Sequence, residues 1–325
     1  MENNFLNFYD KHKIIPVSQN IEEWHRHLNR RSKLYIQLGI PFPLLKGKNI
    51  LEVAPGTGHN ALATISCSPA SYTLVEPSIA GFKAMEEKLK SIMATNKSQI
   101  FLENYTLEEY VKNNPKKTFD IVICEGLIPG LDNKEQFLDA LDATVGRGGI
   151  LVITCADAIS LFFENIRKLL SVVLTLGCDS FESMTAILLK SFKSHFETLQ
   201  GASRSARDWA IDLMLNPASF NMSDFFSIED ALRHFGNDYF YYGGSPQFLE
   251  NYSWYKELPS SATEYNQAYI DSYIKKKHNL IHHKETFIIP FDCDFEKPID
   301  TIASHVQHSF RTKKLDADII RECNN

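Results

Sequence analysis

The sequence predicts an α/β fold built on a parallel sheet. Three observations predict it. Between residues 46 and 155, short apolar runs alternate with helical stretches. The first run ends in a turn of small residues, Ala54, Gly56 and Gly58, that opens a helix. The second run ends in an acid, Glu76, followed by Pro77.

The elements follow in order. A helix is expected from Asn20 to about Leu38, closed by Gly39 with Pro41 and Pro43 beyond. Strands are expected at Asn49–Val53, Ser71–Val75, Gln99–Leu102, Asp120–Cys124 and Gly149–Thr154. Helices fit between them at 59–66, 78–94, 106–113 and 133–145. A reverse turn over Gly146–Gly149 announces the last strand. Such βα alternation gives right-handed crossovers and places ligands at the carboxyl ends of the strands. Residues 156–235 read as mostly helix, with apolar spacing at Leu161, Phe162, Ile166, Leu169, Leu170 and Val173. A short aromatic strand at Tyr239–Tyr242, a helix around 262–283 and a strand at Thr286–Pro290 complete the chain. The texture divides it into an N-terminal helical cap (1–45), a core (46–155), a helical insertion over an acceptor site (156–237) and a C-terminal part completing sheet and shell (238–325).

Composition narrows the class. The 325 residues are 44% hydrophobic, with 22 Phe and 13 Tyr, which excludes global disorder. Net charge is −6, so no broad cationic surface for nucleic acid is expected. No uncharged apolar run reaches the length of a membrane span, and Met1–Asn4 lacks the cationic start of a signal peptide. The six cysteines are scattered without a CxxC pair, which fits reduced thiols in the cytoplasm. Cys124 and Cys155 are expected to be buried and inert. His278, His282 and His283 stand near Glu285, but the Lys275–Lys277 run reads as a solvated helix end, and no metal is expected.

The chemistry lies in the segment from Asn49 to Ala61. Gly56-x-Gly58-x-x-Ala61 with Glu76 fits a dinucleotide fingerprint, in which the acid accepts the ribose hydroxyls. That leaves an NAD(P)-dependent oxidoreductase open. Glu52 tilts against it, because dinucleotide folds keep an apolar strand there. So do the run Phe119–Glu125 leading into Gly126 and the late turn before Ile150.

Those residues, in that order, resemble the class I S-adenosylmethionine-dependent methyltransferases. The resemblance rests on Glu52-Val-Ala54-Pro-Gly56-Thr-Gly58, Glu76, Phe119–Glu125 and Gly148-Gly149, and covers about a third of the chain. Two departures stand out: Ala54 replaces the first motif glycine, tolerable at negative φ, and Arg147 replaces a proline. The resemblance implies a Rossmann-like, mostly parallel seven-stranded sheet with helices on both faces, and S-adenosylmethionine as cofactor. It implies that Ala54, Gly56 and Gly58 form the turn around the methionine part, with Glu52 anchoring the turn or reaching the amino group. Glu76 would take the ribose hydroxyls. Asn104 and Tyr105 would flank the adenine, and Glu125 and Gly126 would lie near the reacting methyl. A non-catalytic S-adenosylmethionine-binding protein on this core remains a further alternative.

The acceptor side is less legible. The insertion and C-terminal part exceed the core in length, which favours an enclosed site for a small or medium-sized acceptor, such as a sugar, glycan precursor or other natural product. Candidate bases are His25, His59 and His195. The N-terminal helix also carries Trp24, His27, Arg30, Arg31 and Tyr35, whose charges are expected to form a solvated face. Arg204, Arg207 and Trp209 form a candidate acceptor-site helix, and Tyr241 a candidate wall. The surplus aromatics outside the core suit packing, a pocket wall or a homodimer contact.

Overall fold

The computed structural model describes residues 21, 23–131, 133–178, 180–199, 205–216, 225–249, 252–281 and 296–312, together with Phe8, Asp292 and Asp294. The chain forms two compact units, one of residues 1–154 and 242–246, the other of 155–241 and 247–325.

The first unit holds the sheet. Its strands are β1 (Asn49–Val53), β2 (Ser71–Val75), β3 (Gln99–Glu103), β4 (Phe119–Cys124) and β5 (Val145–Ile153). They are all parallel, in the order β3-β2-β1-β4-β5. The order reverses between β1 and β4, the position where open α/β sheets form a ligand crevice. The crossovers run through α2 (Ala61–Ser66), α3 (Ile79–Thr95), α4 (Leu107–Asn113) and α5 (Lys134–Asp142). Local chemistry sets their starts. Ser78 caps α3 by accepting from Gly81 N–H at 3.1 Å, and Thr106 and Glu109 form a capping box on α4. Preceding the sheet, α1 (Trp24–Gln37) ends at Gly39, whose φ is +75°. The core is Ile50, Tyr72, Leu74, Met85, Leu89, Ile121 and Ile123, with Tyr35 and Ile40 from the α1 region.

Three sequence expectations are corrected. The described residues form five strands, not seven. Tyr239–Tyr242 is not a strand: the Asn266 side chain satisfies its backbone, accepting from Tyr241 N–H at 2.9 Å and donating to Tyr239 O at 2.8 Å. Gly146–Gly149 is no separate turn. It lies inside β5, which starts at Val145 and bulges as pairing shifts from Phe119↔Val145 to Ile121↔Ile150. Thr286–Pro290 lies outside the described residues.

The second unit is helical: α6 (Phe162–Leu174), α7 (Phe181–Ser191), α8 (Lys193–Thr198), α9 (Ala206–Ala210), α10 (Ile228–Phe235), α11 (Ala262–Lys276) and α12 (Glu296–Thr312). A π turn, Ile211–Leu215, continues α9. Leu188, Phe192, Ala210, Met214 and Leu215 form one core cluster. The apolar spacing read for α6 only partly turns inward, since Ile166, Leu170 and Val173 are exposed. No helix among the described residues is long and apolar enough to cross a membrane. Cys124 is buried and Cys155 half-buried; burial pushes both thiols up, Cys155 to about 12.

Candidate functional site

The site grows from the turn after β1. Ala54, Gly56 and Gly58 all have positive φ, at 56°, 58° and 71°. The alternating left-handed residues fold the backbone back sharply before α2. At Gly58 an added Cβ would meet Met85 Cγ at 2.9 Å, so the residue makes a close approach as well as a turn. Ala54 departs from expectation: its φ is positive, where an L side chain costs about 1–2 kcal/mol. Ala54→Gly relieves that strain, while glycine's greater freedom when unfolded takes back about 0.4–1 kcal/mol. The expected net gain is about 0.5–1 kcal/mol in urea unfolding; no gain would mean the turn carries no strain.

Glu76 ties this turn to the end of β2. Its Oε2 accepts from Gly56 N–H at 2.7 Å and its Oε1 from Ser78 N–H at 2.8 Å. The carboxylate is 3% exposed, and the absence of a side chain at Gly81 makes room for it. Burial pushes its pKa up, against the pull of the two N–H bonds. Each oxygen keeps a lone pair for a further donor. Asn104 is exposed after β3 and donates to Glu76 O at 2.8 Å, bracing the same strand end. Tyr105 beside it is 40% exposed.

Beneath the turn lies a buried ionic cluster. Arg31 grips Glu125 with two bonds of 2.7 Å, its Nη2 donates to Tyr35 OH at 3.4 Å, and its guanidinium lies 5.2 Å from the Tyr35 ring centre. Burial works against the charged guanidinium, but Glu125 outweighs it and holds Arg31 above its ordinary value. Glu52, 4% exposed, accepts from Tyr72 OH. Burial first, then the Glu125 charge, pushes Glu52 up to about 8, against the pull of Arg31. Gly126, next to Glu125, has φ +77° and donates to Thr154 Oγ1 at 2.9 Å; nothing stands within 4 Å of where its Cβ would be.

The solvated face expected on α1 is therefore corrected. His27, Arg31 and Tyr35, four residues apart, are buried on one side. That spacing was the available signal. Both ring nitrogens of His27 are buried, and the His59 backbone is a polar group beside them. Burial, then Arg31 and Arg30, lowers its pKa. His59 follows the turn, bonded through Nδ1 to Thr57 Oγ1, and burial, Lys88 and His27 push it down to about 4.

The raised Glu52 gives a pH prediction. Its ordinary value is 4.5, so between there and about 8 the folded state keeps a proton that the unfolded state loses. Stability falls as pH rises through that window. His59 has the opposite sign: below its ordinary value of 6.5 the unfolded state gains a proton that the fold refuses down to about 4. Between about 6.5 and 8, Glu52 therefore acts without opposition from His59. Urea unfolding is expected to weaken from pH 6.5 to 8.5 in the wild type, with the dependence flattened in Glu52→Gln. An equal slope in both would remove Glu52 as its cause.

The other candidates scatter. His25 is exposed on α1. In the second unit, His195 Nε2 accepts from Arg167 Nε at 2.9 Å, and burial and Arg167 lower its pKa. Arg207 pairs at the surface with Glu182 at 3.0 Å. Trp209 packs edge-on against Phe196 and under Arg167. Tyr241 lies against Tyr269, ring centres 4.2 Å apart and tilted by 45°. Arg204 lies outside the described residues. No group of His, Cys, Asp and Glu suited to a metal occurs among the described residues.

No protein-family model and no curated protein matches the chain. Solved structures similar over part of it include three methyltransferases. The N-methyltransferase NodS from Bradyrhizobium japonicum WM9, in complex with S-adenosylhomocysteine, is 14% identical over 50% of this chain and 78% of its own, with TM-score 0.36. The magnesium protoporphyrin IX methyltransferase ChlM from Synechocystis PCC 6803, with bound S-adenosylmethionine, is 12% identical over 45% and 74%, with TM-score 0.35. The glycopeptide N-methyltransferase MtfA, complexed with sinefungin, is 18% identical over 41% and 56%, with TM-score 0.33.

Proposed function

We propose that this chain is an S-adenosylmethionine-dependent methyltransferase for a small or medium-sized acceptor. The observation that carries the reading is the Glu76 carboxylate, held by the glycine-turn backbone at the switch point of the sheet, with lone pairs to spare. Glu52 beneath the same turn supports it over a dinucleotide enzyme, because an apolar strand residue belongs there.

The residues fit the cofactor. Gly56 and Gly58 leave the backbone bare beside the turn, and Glu76 offers two acceptors to a ribose diol. Asn104 and Tyr105 would flank the adenine, and Gly126 leaves open space for the amino-acid end. When bound, the cofactor supplies a methyl group on a sulfonium, already activated for in-line displacement. The protein's part is to position the partners and exclude water. Glu52 and the Arg31–Glu125 pair fix the floor of the site. His59, at about 4, is too weak a base to take an acceptor's proton efficiently near neutral pH. The length of chain beyond the 46–155 core supports an acceptor of small or medium size, such as a sugar, glycan precursor or other natural product.

Thermal melting with ligands tests the reading. S-adenosylhomocysteine at about 100 times its dissociation constant should add about 2.7 kcal/mol of apparent stability, and NAD none. A rise with NAD and a flat response to S-adenosylhomocysteine would reverse the assignment. Binding without transfer to any acceptor in a broad metabolite panel would favour the non-catalytic alternative.

A further inference from the structure

Helix α6 is turned inside out. Its buried residues are Asn165, Lys168, Ser171 and Val172, three of them polar. Ser171 Oγ donates to Met214 O in the π turn at 3.1 Å, which holds the polar face inward. The outward face is Phe163, Ile166, Leu170, Val173 and Leu174, continued by Leu176, each 37–51% exposed. Every exposed residue of the helix is apolar. A helix on the surface of a monomer has the opposite pattern. Six such side chains expose on the order of 400 Å² of apolar surface, the size of the largest patch on a typical monomer, which is often functional.

We propose that this face of α6 is covered by the same face of a second copy of the chain, giving a twofold dimer. The spacing argues for it. Phe163, Ile166, Leu170 and Val173 are separated by three, four and three residues, the seam of a helix pair with knobs-into-holes packing. Such a seam complements itself, as an interface around a twofold axis requires. The helix of 13 residues is about 20 Å long, enough for two layers of knobs from each copy. Charge argues the same way. Each copy carries net charge −6, yet no exposed charge stands on the seam, so the copies meet without local repulsion. A helix that lies on a membrane displays Lys and Arg on its polar face. Here Lys168 is buried and the Arg167 side chain is only 13% exposed, paired with Glu164 at 2.8 Å. A standard interface takes about 800 Å² from each partner, so the seam is its apolar centre and the polar residues beside it are the rim.

Sedimentation of the full chain from about 1 to 100 μM, the range that resolves micromolar association, tests this. The expected species has twice the 37.1 kDa chain mass. The double variant Ile166→Glu with Leu170→Glu should weaken association at least a hundredfold. Its thermal melt should follow the monomeric wild type, since both side chains are exposed; Val173→Lys provides an independent second variant. Added salt should leave the wild-type dimer intact or tighten it. The proposal fails if the wild type is monomeric throughout, or if its dimer survives these variants. It also fails if a monomer binds phosphatidylcholine–phosphatidylserine vesicles through this face. None of these outcomes depends on the cofactor assignment.

Discussion

Arg31→Ala is expected to destabilise the first unit by about 3 kcal/mol, because it removes one partner of a buried ion pair. The pair side chains are 10% and 22% exposed, and both guanidinium bonds are 2.7 Å. Without Arg31, the carboxylates of Glu125 and Glu52 face each other in a site that already pushes Glu52 up to about 8. The loss should therefore grow with pH, as Glu52 resists ionising more strongly. Replacing both partners, as Arg31→Met with Glu125→Leu, should cost less than Arg31→Ala, because no charge is left unpaired. Urea unfolding at pH 6.5 and 8.5 measures all three. A loss below about 1 kcal/mol, the range of surface pairs, would contradict the burial described for this cluster.

Gly58→Ala is the second large effect. The new methyl group would stand 2.9 Å from Met85 Cγ. Met85 is fully buried and its Cβ is also near, at 3.5 Å, so the contact is not with the free end of a flexible chain. Overpacking of this kind costs about 1–3 kcal/mol. The φ of +71° adds about 1–2 kcal/mol for any L residue. After the gain from a stiffer unfolded chain, a loss of about 2–4 kcal/mol remains. Gly126→Ala makes an informative comparison. It has a similar φ of +77° but open space, so its loss should be confined to the backbone contribution. Equal losses at the two positions would mean that the Met85 contact is unimportant.

The legible parts of the sequence were those fixed by local chemistry. Strands β1 and β2 match at both ends, because buried parallel strands read as continuous apolar runs. The helices read from Ser78 and Thr106 start one residue later, with those two residues as their caps. β5 starts four residues early because its bulged start, Gly146-Arg147-Gly148-Gly149, reads as a turn. Tyr239–Tyr242 has strand-like composition, but a side chain from α11 meets its backbone, and composition does not reveal partners. The ionic floor of the site was half visible. Glu52 and Glu125 stood out at their strand ends, while His27 and Arg31 look like ordinary surface residues until α1 is placed on the sheet. The inverted face of α6 went unread for the same reason: spacing identifies an apolar face but does not say which way it turns.

Calorimetric titration of S-adenosylhomocysteine into the wild type and Glu76→Ala, with melting of both proteins followed alongside, addresses the central claim most directly. The wild type should bind at one site per chain. Glu76→Ala should bind about 10- to 100-fold more weakly, the about 1.5–3 kcal/mol lost when charged hydrogen bonds to a ribose diol disappear. A wild type that does not bind, or a folded Glu76→Ala protein that binds equally well, would contradict the account.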